Sequence, residues 1–209
     1  MSKIVLALDT SQGTTVAVLV DGRVVSEASD PNPMRHAENI GTLLAECLDQ
    51  AGVKSSDVTD VAVGIGPGPF TGLRVGIAAA KMFAAGSKAK LHGVGSLDAI
   101  AFELALSETT LVIADARRSE VYFGLFQGKS EKGVPKQLLA PGVSKQAELE
   151  ERLRAEGQAY QLMQQPVKAA SIGLLAIALQ SEGSGEGLIQ ANYLREPDAT
   201  YAKPKKVTG

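Results

Sequence analysis

Residues 62–86 read AVGIGPGPFTGLRVGIAAAKMFAAG. Residues 62–65 are apolar enough for a buried strand. Gly66, Pro67, Gly68 and Pro69 then end any regular element. The prolines fix φ and lack an N–H, while the glycines permit positive φ. Thr71 stands where an N-cap belongs, a helix is expected over residues 72–85, and Gly86 supplies its stop. The stretch therefore reads as strand, rigid loop, helix.

Within that helix Gly72, Gly76, Ala80 and Ala84 recur every four residues, so they share one side. An interior glycine costs about 1 kcal/mol relative to alanine. A stripe of small residues is explained if another backbone comes close. Three readings stay open: packing on the chain's own sheet or a neighbouring helix, a partner's helix at an interface, or an anion at the helix N-terminus. The loop matches neither GxGxxG nor GxxxxGK[ST], so the third lacks a phosphate-loop motif.

Working outward, 209 residues suffice for one large domain or two lobes, burying about 70% of the unfolded surface. The hydrophobic fraction of 44% and charged fraction of 21% belong to a soluble globule. Trp is absent and aromatics make up 4%, so no base-stacking platform is advertised. A net charge of −2 argues against autonomous tRNA or DNA binding, which leans on phosphate neutralisation. Cys47 is the single cysteine. It excludes an internal disulfide, fits a reducing compartment and reads as a buried structural thiol. No signal-peptide pattern and no membrane-length apolar run are present, so a cytoplasmic protein is expected.

Upstream, residues 3–8 and 14–20 read as strands. Asp21-Gly22 is a hairpin turn and residues 23–29 form a third strand. Ile40, Leu43, Leu44, Cys47, Leu48 and Ala51 lie on one face of a helix over residues 35–50, ended by Gly52. Strands follow at residues 60–65 and 91–94, then a helix over 97–107 capped by Ser96. Downstream come a strand at 110–114, an extended segment at 135–141, helices at 145–155 and 167–180, a loop at 181–187, an extended 188–194 and a tail with Lys203, Lys205 and Lys206.

The two halves repeat. Setting Asp115 on Asp9 places Leu125 on Leu19, Gly128 on Gly22 and Lys129 on Arg23 without a gap. Each copy is a buried strand, an Asp-led loop, a strand and a glycine turn, which suggests a duplicated fold.

This duplicated pattern resembles the actin-like (ASKHA) fold of sugar kinases and heat-shock ATPases. GIGPGPFTGLRVGIAAAK, DARRSEVYFGLF and NYLR are more specific and resemble the TsaB (YeaZ) family. The resemblance implies an α/β fold of two lobes, each with a mixed sheet and packed helices, divided as residues 1–106 and 107–209. Residues 154–166 depart from it, being shorter than the family's strand-bearing segment. The family's implied role is the dimerisation subunit that activates TsaD, which transfers a threonylcarbamoyl group to the adenosine beside the tRNA anticodon. The ATPase TsaE is implied in a ternary complex, a homodimer is implied for the chain alone, and tRNA is implied only through the complex.

TsaD-like proteins carry a His-x-x-x-His helix whose imidazoles grip one metal. Ser96 and Ile100 stand at those positions here, so no metal, no cofactor and no catalytic residue is expected, and a peptidase site has no residue set. The docking surface is expected from His36, Ile40, Leu43, Leu44 and Cys47 of the first helix, with Gly72, Arg74, Gly76, Ala80, Phe83 and Ala84 of the second. Asp9, Thr10, Ser11, Asp115, Arg117 and Arg118 stand where actin-like ATPases hold phosphates and Mg²⁺. They support the alternative of an autonomous ATPase or phosphotransferase. The competing reading is that both aspartates cap their own turns.

Overall fold

A computed structural model describes residues 2–184 and 189–195. β1 (Ile4–Asp9), β2 (Thr14–Val20) and β3 (Arg23–Asp30) form an antiparallel meander. The turn from β2 to β3 is Asp21-Gly22, with φ of 48° and 78°, the pair of left-handed residues that a two-residue hairpin needs. After α1 (His36–Ala51) and a 3₁₀ turn (Ser55–Asp57), β4 (Asp60–Gly64) pairs parallel to β1. α2 (Phe70–Ser87) then leads to β5 (Lys90–Val94), parallel to β4. The first sheet has the order β3-β2-β1-β4-β5.

The pattern restarts after α3 (Ser96–Glu103). β6 (Thr110–Asp115), β7 (Glu120–Lys129) and β8 (Pro135–Lys145) form a second meander, followed by α4 (Gln146–Ala155) and β9 (Gln161–Met163). The second sheet has the order β8-β7-β6-β9, with β9 parallel to β6. The repeat is one of register as well as sequence. Asp9 pairs with Thr15 as Asp115 pairs with Val121, and Leu19 with Val5 as Leu125 with Leu111. The glycines part company, because Gly128 lies inside β7 at a register shift with φ of 72°. The second turn closes instead where Ser130 N–H meets the Val134 carbonyl at 2.9 Å.

β1 and β2 are apolar on both sides because the first sheet is covered on both. Leu6, Leu8, Val16 and Val18 pack under α1 and α2. Val5, Ala7, Ala17 and Leu19 face α3 and α5 (Ala169–Ser181). α5 therefore returns from the second half to the first sheet, so close that a Cβ on Gly173 would lie 2.5 Å from Leu19 Cδ1. Leu149 and Leu153 of α4 cover the far face of the second sheet.

Several expected boundaries move. α2 gains residues at both ends, with Pro69 as N-cap and Lys88, at φ of 61°, as the left-handed cap in place of Gly86. α1 ends as expected on Gly52, at φ of 64°. Ser96 is the first residue of α3 rather than its cap, because its hydroxyl is used elsewhere. The departure at residues 154–166 keeps a strand after all, in the three residues of β9. Residues 189–195 form no strand, while 185–188 and the lysine tail lie outside the described residues. No described helix is long and apolar enough to cross a membrane.

Candidate functional site

The loop that ends β4 is locked to the end of β1 and the start of α3. Ser96 Oγ donates to Asp9 Oδ2 at 2.6 Å and accepts from Gly66 N–H at 3.1 Å. Gly66 O in turn accepts from Ser96 N–H at 2.8 Å. The other Asp9 oxygen accepts from Ser11 N–H at 2.7 Å and Ser11 Oγ at 2.6 Å. Thr10 Oγ1 donates to the Gly72 carbonyl at 2.7 Å. Burial pushes the Asp9 carboxyl up from its ordinary value, against the pull of these hydrogen bonds. Asp9, Thr10 and Ser11 are all buried with their polar side-chain atoms engaged. Their side chains clamp three elements together, while Ser11 also lines a cavity beside Asp115 and Arg117. Asp115 caps its own turn by accepting from Arg117 N–H at 2.9 Å, but it stays exposed. Arg117, Arg118 and Ser119 hold φ of 62°, 54° and 61°, three consecutive left-handed non-glycine residues, each a strained conformation.

The small-residue stripe faces inward. A Cβ on Gly72 would stand 2.5 Å from the Thr10 carbonyl oxygen, and one on Gly76 2.2 Å from Thr10 Oγ1. Ala80 and Ala84 are buried. Gly72, Gly76, Ala80 and Ala84 therefore seat α2 on β1, which corrects their expected place on a docking surface. Ile40, Leu43 and Cys47 are likewise core residues under α1. Cys47 Sγ lies 3.1 Å from Ser26 Oγ, and burial pushes its thiol up, as a structural thiol requires. His36 is buried with Nδ1 2.8 Å from Thr14 Oγ1. Of the expected surface, Arg74 is exposed and Leu44 and Phe83 are half-buried.

A different face of the same helices is open. Ala37, Gly41 and Ala45 are exposed at four-residue spacing on α1, and Ala78, Met82 and Ala85 on α2. Both helices cover one face of the first sheet, so these sides look the same way. Gly41 has nothing within 4 Å of where its Cβ would be. Met34 and Met82 are 78% and 77% exposed. At one end of this face the Arg74 guanidinium lies 3.6 Å over the Phe70 ring, and Tyr193 packs on Phe70 at 4.7 Å. The spacing of Ala37, Gly41 and Ala45 was legible in the sequence. It was masked by the apolar positions on the opposite side of α1.

The positions of the TsaD-like histidine pair are spent on structure. Ser96 is in the Asp9 clamp and Ile100 is buried in the core. The two histidines stay apart in their elements, with His92 Nε2 2.8 Å from Asp60 Oδ1 between β5 and β4. Among the described residues no group of three His, Cys, Asp or Glu side chains is placed to hold a metal ion.

The family model for TsaD, tRNA N6-adenosine threonylcarbamoyltransferase, matches residues 32–181. An uncharacterized Mycobacterium tuberculosis protein, Rv3421c, is 33% identical over 93% of this chain and 93% of its own length. TsaB of Escherichia coli, titled a tRNA threonylcarbamoyladenosine biosynthesis protein, is 32% identical over 62% of this chain and 57% of its own. The structure of YeaZ from Pseudomonas aeruginosa matches with a TM-score of 0.74 at 27% identity, over 92% of this chain and 100% of that one. The chain belongs to the TsaB/YeaZ family. The YeaZ match also assigns the actin-like fold to the two repeated sheets. The match to the Mycobacterium leprae protein ML0378 covers 94% of this chain but spans 56% of that protein.

Proposed function

We propose that this chain is a non-catalytic subunit that binds TsaD and holds it in an active state for threonylcarbamoyl transfer to the adenosine beside the tRNA anticodon. Family membership supports a role in tRNA threonylcarbamoyladenosine biosynthesis. The observation that carries the docking part is Gly41. A mid-helix glycine costs stability relative to alanine, and no neighbouring atom within 4 Å of a Cβ at position 41 requires it. It makes sense where a partner backbone approaches. The docking face is the outer side of α1 and α2, including Ala37, Ala45, Ala78 and Met82, with Leu44, Arg74 and Phe83 at its edges. The same face serves a two-fold homodimer when TsaD is absent. TsaE joins the complex in a ternary assembly, tRNA reaches this subunit only through that complex, and the setting is the cytoplasm.

The alternative, an autonomous ATPase or phosphotransferase, needs Asp9 to orient a metal-bound water. The Asp9 carboxylate is engaged by Ser11 and Ser96 instead. Gly41→Arg and Ala78→Arg test the docking reading. Calorimetry with purified TsaD should show affinity falling by roughly tenfold or more, with thermal stability of the isolated chain not reduced and, for Gly41→Arg, slightly raised. Wild-type affinity in both variants would sink it. Turnover of ATP·Mg by the isolated chain, lost in Asp9→Ala, would establish the enzyme reading.

A further inference from the structure

We propose that residues 192–195 relay movement between the β6–β7 turn and the first turn of α2. The segment reads NYLR. One end of it is fixed to the first lobe. The Asn192 N–H donates to the Ile65 carbonyl at 2.7 Å. The Asn192 carbonyl oxygen lies 3.3 Å from where a Gly66 Cβ would stand, so the segment runs directly against the GPGP loop. Tyr193 packs on Phe70 with ring centroids 4.7 Å apart, and its hydroxyl accepts from Arg74 Nε at 3.2 Å. The Arg74 guanidinium lies over the same Phe70 ring, so the three side chains form one stack at the start of α2.

Two residues on, Arg195 takes hold of the second lobe. It donates to the Ala116 carbonyl at 2.8 Å and stands 3.4 Å from Glu120 Oε2. Those two residues flank the turn in which Arg117, Arg118 and Ser119 hold φ of 62°, 54° and 61°. Residues other than glycine populate that region sparsely, and three in succession persist only where the surroundings hold them. Within the turn, Ala116 N–H donates to the Glu120 carbonyl and Glu120 N–H to the Arg117 carbonyl, each at 3.0 Å. Arg117 N–H donates to Asp115 at 2.9 Å. Arg195 adds a clamp from outside the turn, on both of its ends.

The first turn of α2 and the β6–β7 turn face each other across a cavity of about 580 Å³, which Tyr193 and Arg195 also line. The segment therefore bridges what the cavity separates. Leu194, between the two arms, packs on the core that both sheets share. Two residues of chain span about 7 Å at most, which leaves no slack to absorb a displacement of either arm. Relaxation of the strained turn releases Arg195 and disturbs Tyr193 and Arg74. Disturbance of the stack loosens the turn by the same coupling, because coupling between two sites is reciprocal. Arg74 stands at the edge of the docking face, so where the inference extends to a bound partner it rests on the docking reading. The relay itself needs no partner.

It is tested by NMR and hydrogen exchange on the isolated full chain, where TsaD plays no part and a failed relay is told apart from a failed docking face. Arg195→Gln should raise exchange at the Ala116 and Glu120 amides by about tenfold and shift the Arg74 Nε–H resonance, although residue 74 is unchanged. Arg74→Ala, a substitution at an exposed helix position, should raise exchange at the same two amides by about fivefold, although neither lies on α2. This second variant decides the matter alone if Arg195→Gln does not fold. An unmoved Arg74 resonance in folded Arg195→Gln, or wild-type exchange at both amides in Arg74→Ala, would overturn the relay.

Discussion

His36 and Asp9 show how one buried pocket gives two residues opposite pH behaviour. Burial lowers His36 from an ordinary 6.5, although Asp9 and Asp30 pull it the other way. The folded chain then binds fewer protons at this residue than the unfolded chain does. Its contribution is complete above pH 6.5 and is lost as pH falls below that value. Asp9, raised from an ordinary 3.8, holds its proton longer in the folded state and so works against that slope. Urea denaturation of His36→Gln should lack the stability loss that wild type shows on acidification from pH 6.5. Parallel curves for the two proteins would remove His36 from the account. Neither direction was legible in the sequence, because residues 9 and 36 meet only after β1 and α1 are folded together.

At the scale of the helix, two glycines with the same propensity cost have opposite meanings. Gly41 is open to solvent and Gly76 presses on Thr10. Gly41→Ala should stabilise the isolated chain by about 0.5–1 kcal/mol. Gly76→Ala should destabilise it by about 1–3 kcal/mol, since the new methyl must displace the end of β1. Chemical melts of the two variants should move in opposite directions, and a shared direction would contradict the seating of α2. The period of four told that Gly72, Gly76, Ala80 and Ala84 share a side. It carried no information on whether that side met Thr10 or a stranger.

Across the whole molecule, α5 joins what the repeat separates. Ile172, fully buried, sits in a core with Ala7 and Leu19 of the first sheet and Val112 and Phe126 of the second. Ile172→Ala should cost about 2–5 kcal/mol. Hydrogen exchange should lose protection at Val5 of β1 and Leu111 of β6 together. Loss at one sheet with retention at the other would show two independently unfolding lobes. The division at residue 106 separates the sheets, yet the polypeptide after it supplies a helix to the one before it.

The order of elements, the Gly52 cap, the hairpin at Asp21-Gly22 and the duplication around Asp9 and Asp115 were set by local chemistry. Periodicity, turn residues and repeated spacing act over a few residues and need no fold to be read. The burial of Thr10, the inward turn of Gly72 and Gly76, the bulge at Gly128 and the packing of His36 against Gly72 were decided by tertiary packing. Each depends on which surface arrives from tens of residues away, and side-chain spacing along one element holds no record of that.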